Sequence, residues 1–406
     1  MVMLSSLIVL LNLLVGAVAL PGSHPTVRLG IDVLLDDHAQ LLAGKRVGLV
    51  TNSSAVDTAG RATLDRLVTD TRFSVTQLYS PEHGLRLTHR NGRGDRNGVD
   101  PVTGIALEGL SCSRPPSAKS LQNVDVLVFD VQDIGSRTYT YATTLGKVMR
   151  AAARSHVPII VLDRPNPAGG LAFEGPIVEP RSRSMIGWAP LPVTHGLTFG
   201  ELARFYNGEL GLHSDLTVVP MSGWTRSMVW EDTGLRWVAT STGIPTLTNA
   251  HLYVAAGMAG GAGTNIDDGV GSQRYFERIG SAFADADRFT AEMQRADLPG
   301  VRFEPVRYRP GRGPYRGWSL QGVQMKVTDP RQFRPLRTAL TALVAMHNLY
   351  PSKFKVVNWR RFARVWGNRD VLGALRRGEA ADRIEASWQP DLARFAVQRQ
   401  KYLLYM

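Results

Sequence analysis

Two short apolar runs, V-D-V-L-V-F-D-V at 124–131 and V-P-I-I-V-L at 157–162, bracket a helix-length segment with apolar positions at Leu145, Val148 and Met149. Runs of this kind, rich in β-branched residues and apolar on both faces, predict buried parallel strands joined by a helix. The same reading gives a helix over 30–42, a strand over 45–52 ending in a polar loop at Asn52, and a helix over 58–68. It continues with strands over 74–79 and 216–221. Repetition of the strand–helix–strand unit predicts an α/β fold with a Rossmann-like, mainly parallel sheet and helices on both faces. Polar residues follow the apolar runs, and in such a sheet the crevice beyond the carboxyl ends of the strands is the place for a ligand. Asn52, Gln132, Asp133, Arg137, Tyr139, Asp163, Arg164 and Asn166 are the residues so placed.

Further along, Thr198 with Glu201 three residues on forms the pattern of a helix capping box, and His195 stands just before that helix start, a candidate ligand contact. Residues 86–104 and 255–271 are glycine-rich and read as loops, the first either folding over a ligand or simply solvated, the second either letting backbone approach a ligand or serving as a connector. Residues 224–237 hold three tryptophans, suited either to core packing or to stacking on sugar faces. From 283 onward the pattern resumes, with strands over 301–308 and 317–327 and a helix over 331–349, a second and smaller α/β unit. The domains expected are a signal peptide at 1–20, a Rossmann-like N-terminal catalytic domain at 26–245 and a C-terminal α/β domain at 246–406.

Composition alters this picture in three places. The net charge of +12 suits an acidic partner, but without a long Lys/Arg run, an RNA-binding aromatic signature or zinc-finger spacing no nucleic acid partner is expected. Cys112 is the single cysteine, so no internal disulfide can form, and no Cys/His spacing suggests a metal. The first twenty residues are apolar and uncharged, with Ala17-Val18-Ala19 as a small-residue cleavage pattern. This reads as a secretory signal that lacks the usual basic start, with a transmembrane anchor as the alternative for a run of this length; the body of the protein is expected to be exported, periplasmic or extracellular, with no stable membrane insertion after cleavage.

Glu82 and Asp133 both follow predicted parallel strands and should reach one crevice. Two carboxyl groups facing one cleft are what glycoside hydrolysis needs, one to protonate the leaving oxygen and one to act as base or nucleophile or to steer an N-acetyl group. His83 beside Glu82 tunes it or holds substrate. Arg137, Arg164 and His195 are candidates for a ligand carboxylate, with ion pairs to Asp133 or Asp163 as the structural alternative for the arginines. A serine hydrolase lacks support because no G-x-S-x-G elbow occurs, and no glycine fingerprint follows the first strand to suggest a dinucleotide.

Four blocks then stand together: Ser80-Pro81-Glu82-His83-Gly84, residues 130–141 (D-V-Q-D-I-G-S-R-T-Y-T-Y), residues 162–167 (L-D-R-P-N-P) and residues 195–203 (H-G-L-T-F-G-E-L-A). In this order they resemble the NamZ-like exo-β-N-acetylmuramidases, and the resemblance extends to Tyr402-Leu403-Leu404-Tyr405. It implies a cleft between a Rossmann-like domain and a smaller one, and release of N-acetylmuramic acid from the non-reducing end of peptidoglycan fragments without metal or nucleotide cofactor. It also implies Glu82 as the catalytic acid, and the lactyl carboxylate of muramic acid would explain a need for arginine. The chain departs from the family pattern at 241–246 and at 263–272, where Asp268 stands for a glutamate and Val270 for an arginine; Asn265 keeps its place and, with Asp268, is a candidate substrate contact. The altered loop leaves a second expectation, a muropeptide-binding protein that kept the cleft and lost catalysis.

Overall fold

The computed structural model describes residues 27–89, 94–110 and 114–406. The signal segment, Cys112 and part of the glycine-rich stretch after Arg86 lie outside the described residues. Among the described residues there are ten strands: β1 Arg46–Thr51, β2 Ser74–Ser80, β3 Gly98–Val99, β4 Ala106–Gly109, β5 Val126–Asp130, β6 Ile159–Leu162, β7 Leu216–Val219, β8 Arg278–Ser281, β9 Val301–Tyr308 and β10 Leu320–Val327. The first seven form one sheet in the order β3-β4-β2-β1-β5-β6-β7, parallel except for the edge strand β3. The chain leaves β1 to build one wing and returns at β5 to build the other. The crevice between β1 and β5 is therefore the switch point at which such sheets bind ligands.

The apolar runs form this sheet because both of its faces are covered. Along β5, Val126 and Val128 enter one core with Ile31, Leu34 and Leu67, while Leu127 and Phe129 enter the other with Leu145, Val148 and Phe205. Ile160 and Leu162 against Ile159 and Val161 repeat that period of two on β6. The helices Gly30–Asp37 and Thr63–Val68 serve the first face, and Tyr141–Arg154 and Phe199–Glu209 the second. The second core continues without a break into the C-terminal half. There β8, β10 and β9 form an antiparallel sheet packed with the helices Leu247–Ala259, Ala286–Arg295 and Pro335–Leu349.

Several stretches differ from the pattern-based expectation: the helix expected over 58–68 begins at Thr63, the strand over 317–327 at Leu320 and the helix over 331–349 at Pro335. The helix expected over 30–42 ends at Asp37 and continues as a 3-10 turn, Ala39–Leu41. The first residues of the expected glycine loop, 255–259, complete the helix Leu247–Ala259, because Thr246 and Asn249 cap its start and its alanines bury a face. Much of the described part of 86–104 is tied down: Arg86 pairs with Asp100, Asp95 accepts from Leu85 N (2.7 Å) and contacts His89 (2.8 Å), and Gly98–Val99 adds β3 to the sheet. The three tryptophans near 230 are packing residues. Trp230 and Trp237 meet edge to face at 4.9 Å, and Trp224 meets Tyr405 in the same way. Among the described residues no helix is long and apolar enough to cross a membrane.

Candidate active site

Loops after β1, β2 and β5 converge at the switch point, held by one tyrosine. Asn52 Nδ2 donates to Tyr141 Oη (2.9 Å), and Tyr141 Oη donates to Thr240 O (2.7 Å) and lies 3.4 Å from Glu82 O. Asn52 Oδ1 accepts from Ser54 N and Oγ, and Ser54 Oγ accepts from Gln132 N (3.2 Å), which ties the β1 loop to the β5 loop. Both ends of the Asn52 amide are thus engaged in building the site. Glu82 sits in a tight turn closed by Gly84 N donating to Pro81 O (3.0 Å), with His83 at φ 75°. A non-glycine residue in the left-handed region costs about 1 kcal/mol or more and is held only where its surroundings fix it. His83 Nδ1 is 3.0 Å from His89 O, which fixes the ring. Glu82 itself is buried, 7% exposed.

Asp133 follows β5 in a turn that requires glycine. Gly135 is at φ 78°, donates its N–H to Asp133 Oδ2 (2.8 Å), and a Cβ there would stand 2.3 Å from Asn166 Oδ1. Burial pushes the Asp133 carboxyl up to about 7, against two backbone N–H bonds that favour its charged form. His195 packs beside it, Nε2 3.8 Å from Asp133 Oδ2. Its Nδ1 accepts from Leu197 N (3.2 Å), so the proton of the neutral ring is on Nε2, facing the carboxyl. Burial first, and then the charge of Arg399, lowers this imidazole to about 3, and it is neutral at physiological pH. Gln132 Oε1, Asp133 Oδ1 and His195 Nε2 are three buried polar atoms with no hydrogen-bond partner among the described residues, whereas Gln132 Nε2 donates to Asp133 O and Pro165 O.

From this floor an aromatic bridge leads to the C-terminal half. Tyr139 meets Tyr141 at 4.9 Å and Tyr253 at 5.7 Å, both edge to face. Tyr253 Oη donates to Thr138 O (3.2 Å) and lies within the fields of Glu82, Asp133 and Asp268; chiefly through burial, its hydroxyl is pushed up to about 12. Next to it is a pocket of 220 Å³ lined by Thr138, Tyr253, Gly257, Asp268 and Arg361. Through Gly261, Asp268 and Arg361 this pocket adjoins a cleft of 760 Å³ whose further lining includes Thr242, Asp267, Tyr275, Arg312 and Tyr315. Burial, with Asp267 beside it, raises the Asp268 carboxyl to about 6.

The structure therefore places Glu82, Gln132, Asp133 and His195 together at the ends of β2 and β5, with Tyr139 joining them through Tyr141 and Tyr253 to the pocket that Asp268 lines. Four other candidates have side chains engaged elsewhere. Arg137 is 2% exposed and donates to Ile186 O (3.1 Å), Val365 O (3.0 Å) and Trp366 O (2.8 Å), the last two at the carbonyl end of the helix Trp359–Trp366. Arg164 forms a buried two-pronged pair with Asp130 at 2.5 and 2.8 Å, a partner different from either aspartate expected. Asn166 Nδ2 donates to Leu197 O (3.1 Å), and Asn265 bonds the backbone of Lys353 and Lys355 at 2.8 Å each. Asp163, also placed in the crevice by its position, accepts from Thr198 Oγ1, Gly200 N and Tyr405 Oη and so anchors the helix Phe199–Glu209. The expected capping box of Thr198 and Glu201 is formed there.

Tyr141, Tyr253, Tyr275, Arg312, Tyr315 and Arg361 were not singled out as site residues by the pattern. Only Tyr141 carried a signal, as the last residue of the block at 130–141. The others stand on the C-terminal half and reach the cleft through tertiary packing alone. Among the described residues no group of three or more His, Cys, Asp and Glu is arranged to hold a metal ion.

Comparison with known proteins gives a consistent picture. The family model described as exo-beta-N-acetylmuramidase NamZ, N-terminal, matches residues 47–248, and its C-terminal counterpart matches residues 251–405. The peptidoglycan beta-N-acetylmuramidase NamZ of Bacillus subtilis (strain 168) is 37% identical over 385 residues, 95% of this chain and 92% of that one. A crystal structure of a DUF1343 family protein from Bacteroides fragilis superposes with a TM-score of 0.86 at 34% identity, covering 94% of this chain and 99% of that one. A second such protein from the same organism gives a TM-score of 0.74 at 26% identity, with the same coverage.

Proposed function

The chain belongs to the exo-beta-N-acetylmuramidase NamZ family and is a glycosidase, and on that premise we propose that it releases N-acetylmuramic acid from the non-reducing end of peptidoglycan fragments. The observation that carries this reading beyond family membership is the field shared at Tyr253: Glu82, Asp133 and Asp268 all act on its hydroxyl. Of these, Asp268 lines both the inner pocket and the 760 Å³ cleft, and Glu82 and Asp133 lie at the ends of β2 and β5 on the Tyr253 side of that pocket. Glu82 transfers the proton at the glycosidic oxygen. Asp133, whose carboxyl stays largely protonated up to about pH 7, supplies the second carboxyl role, with the neutral His195 ring packed beside it. The uncharged apolar opening of the sequence supports export of the mature protein.

The reading is tested with a disaccharide carrying non-reducing N-acetylmuramic acid, following free muramic acid by mass spectrometry. Glu82→Gln keeps the shape of the side chain and removes its acid, so turnover should fall by at least roughly a hundredfold with the fold intact. Near-normal turnover in that variant would sink the assignment of Glu82. Tight binding by wild type with no product over long incubation would transfer the weight to the muropeptide-binding reading that the altered 263–272 loop suggests.

A further inference from the structure

We propose that the connection between β9 and β10, residues 309–319, is a docking arm for the leaving-group side of an acidic, peptide-bearing glycan strand; this rests on the muramidase reading above. The segment reads R-P-G-R-G-P-Y-R-G-W-S, with three arginines, two aromatics and no carboxylate. Trp318 is 56% exposed, with Tyr315 edge-on to it at 6.0 Å. Arg307, on the adjoining strand, pairs with Asp287. Among the described residues none of Arg309, Arg312 and Arg316 has a carboxylate within ion-pair distance. An exposed indole beside guanidinium groups that hold no carboxylate matches a ligand with apolar sugar faces and carboxylates.

The arm is fixed rather than loose. Gly311 N donates to Gly271 O (3.0 Å), Gly317 N to Pro310 O (2.8 Å) and Trp318 N to Tyr315 O (3.0 Å). The Arg312 guanidinium lies 4.9 Å over the Tyr275 ring, and its Nε donates to Val270 O (3.3 Å). A Cβ on Gly271 would stand 2.4 Å from Arg312 O, so the two loops meet backbone to backbone. The surface is therefore preorganised for binding.

Position decides which part of the substrate it meets. Arg312 and Tyr315 line the 760 Å³ cleft, and Tyr315 lies in the fields of Asp267 and Asp268. Asp268 also lines the inner pocket beside Tyr253, which in turn lies in the fields of Glu82 and Asp133. Glu82 and Asp133 lie on the Tyr253 side, Tyr253 and Asp268 line the inner pocket, Asp268 and Tyr315 the cleft, and Trp318 meets Tyr315 edge to face beyond it. An exo-acting enzyme takes one terminal sugar at the first of these, so the remainder of the strand runs out along the last. Neutral sugars need only the aromatics; the arginines call for the carboxylates of peptide stems.

The test compares kcat/KM on two substrates ending in N-acetylmuramic acid, the bare disaccharide and a peptide-bearing tetrasaccharide. The wild type is expected to prefer the longer one, and Trp318→Ala with Arg316→Gln to lower that preference by about tenfold. Raising salt should erode the wild-type preference and leave that of Arg309→Gln/Arg316→Gln nearly unaffected. An unchanged preference in the variants overturns the arm. Binding of the tetrasaccharide to Glu82→Gln, with and without the Trp318 and Arg316 changes, is measured by calorimetry in parallel. If the wild type releases no muramic acid from either substrate, the muramidase reading fails; the arm then stands on a tenfold loss in calorimetric affinity and falls with equal affinities.

Discussion

Asp133 combines near-complete burial, one carboxyl oxygen bonded to Gly135 N and the other without a partner among the described residues. Its raised pKa has a measurable consequence for stability. The folded chain holds this proton up to about pH 7, while an unfolded aspartate releases it near pH 4. Between those values the folded state binds more protons, so the contribution of Asp133 to stability is present below about pH 4 and is lost as pH rises through about 7. Asp163, Glu174 and Asp268 act in the same direction, and His195, lowered to about 3, acts oppositely, adding stability as pH rises from about 3 to about 6.5. Asp133→Asn isolates the one term. Urea unfolding at pH 4.5 and pH 8 should show the variant gaining on wild type by up to about 1.4 kcal/mol for each pH unit between 4 and 7. A difference that stays constant with pH would mean that the carboxyl is not held protonated by its surroundings. At this scale the position of Glu82 and Asp133 just after two parallel strands was legible in the sequence. The atoms each carboxyl meets were not, since His195 and Tyr253 come from elements 62 and 120 residues further along the sequence than Asp133.

Elements are joined through polar ties that no local pattern encodes. Arg137, on the loop after β5, reaches the carbonyl end of the helix Trp359–Trp366 more than two hundred residues away, satisfying carbonyl groups that the helix leaves open. Replacing it by leucine removes three buried hydrogen bonds and leaves those carbonyls unpaired, which should lower unfolding stability by about 3 kcal/mol. A variant that unfolds like the wild type but shows a raised KM would instead return Arg137 to substrate binding. Arg164 illustrates the same limit at a different register. Its position after β6 suggested Asp133 or Asp163, but adjacent pairing of β5 and β6 sets it against Asp130 at the end of β5. The strands themselves were legible, because runs such as 126–130 and 159–162 must be buried on both faces. The ends of the helix at 247–259 were not, because glycine at 257 and 260 obscured a helix that its cap and buried face stabilise.

For the whole molecule, one apolar core runs from the second face of the parallel sheet into the C-terminal half, and the residues near 400 close back on the first half. Tyr405 Oη donates to Asp163 and accepts from Met221 N, while Arg399 donates to Gly170 O and Gly196 O. The candidate cleft, which takes Thr242 from one half and Arg361 from the other, depends on that union. Export belongs at this scale as well. Protein recovered from the periplasm or medium should have an intact mass corresponding to a start near Leu20, after Ala17-Val18-Ala19. Full-length chain retained in the membrane fraction would overturn it.

By itself the sequence determined the buried strands and their direction, the crevice beyond their ends, the position of Glu82 and Asp133 after two of those strands, and the family to which the chain belongs. These follow from signals carried by neighbouring residues: the period of the apolar positions, the residue after a strand, the order of contiguous blocks. Only the tertiary structure decided which arginines are tied into the scaffold and which line the cleft, that Tyr141 binds three loops together, and that the β9–β10 connection forms a wall of the site. Each of those is a contact between residues far apart in the chain, fixed by how the helices and sheets pack and by the need to satisfy buried polar groups, and no local pattern records it.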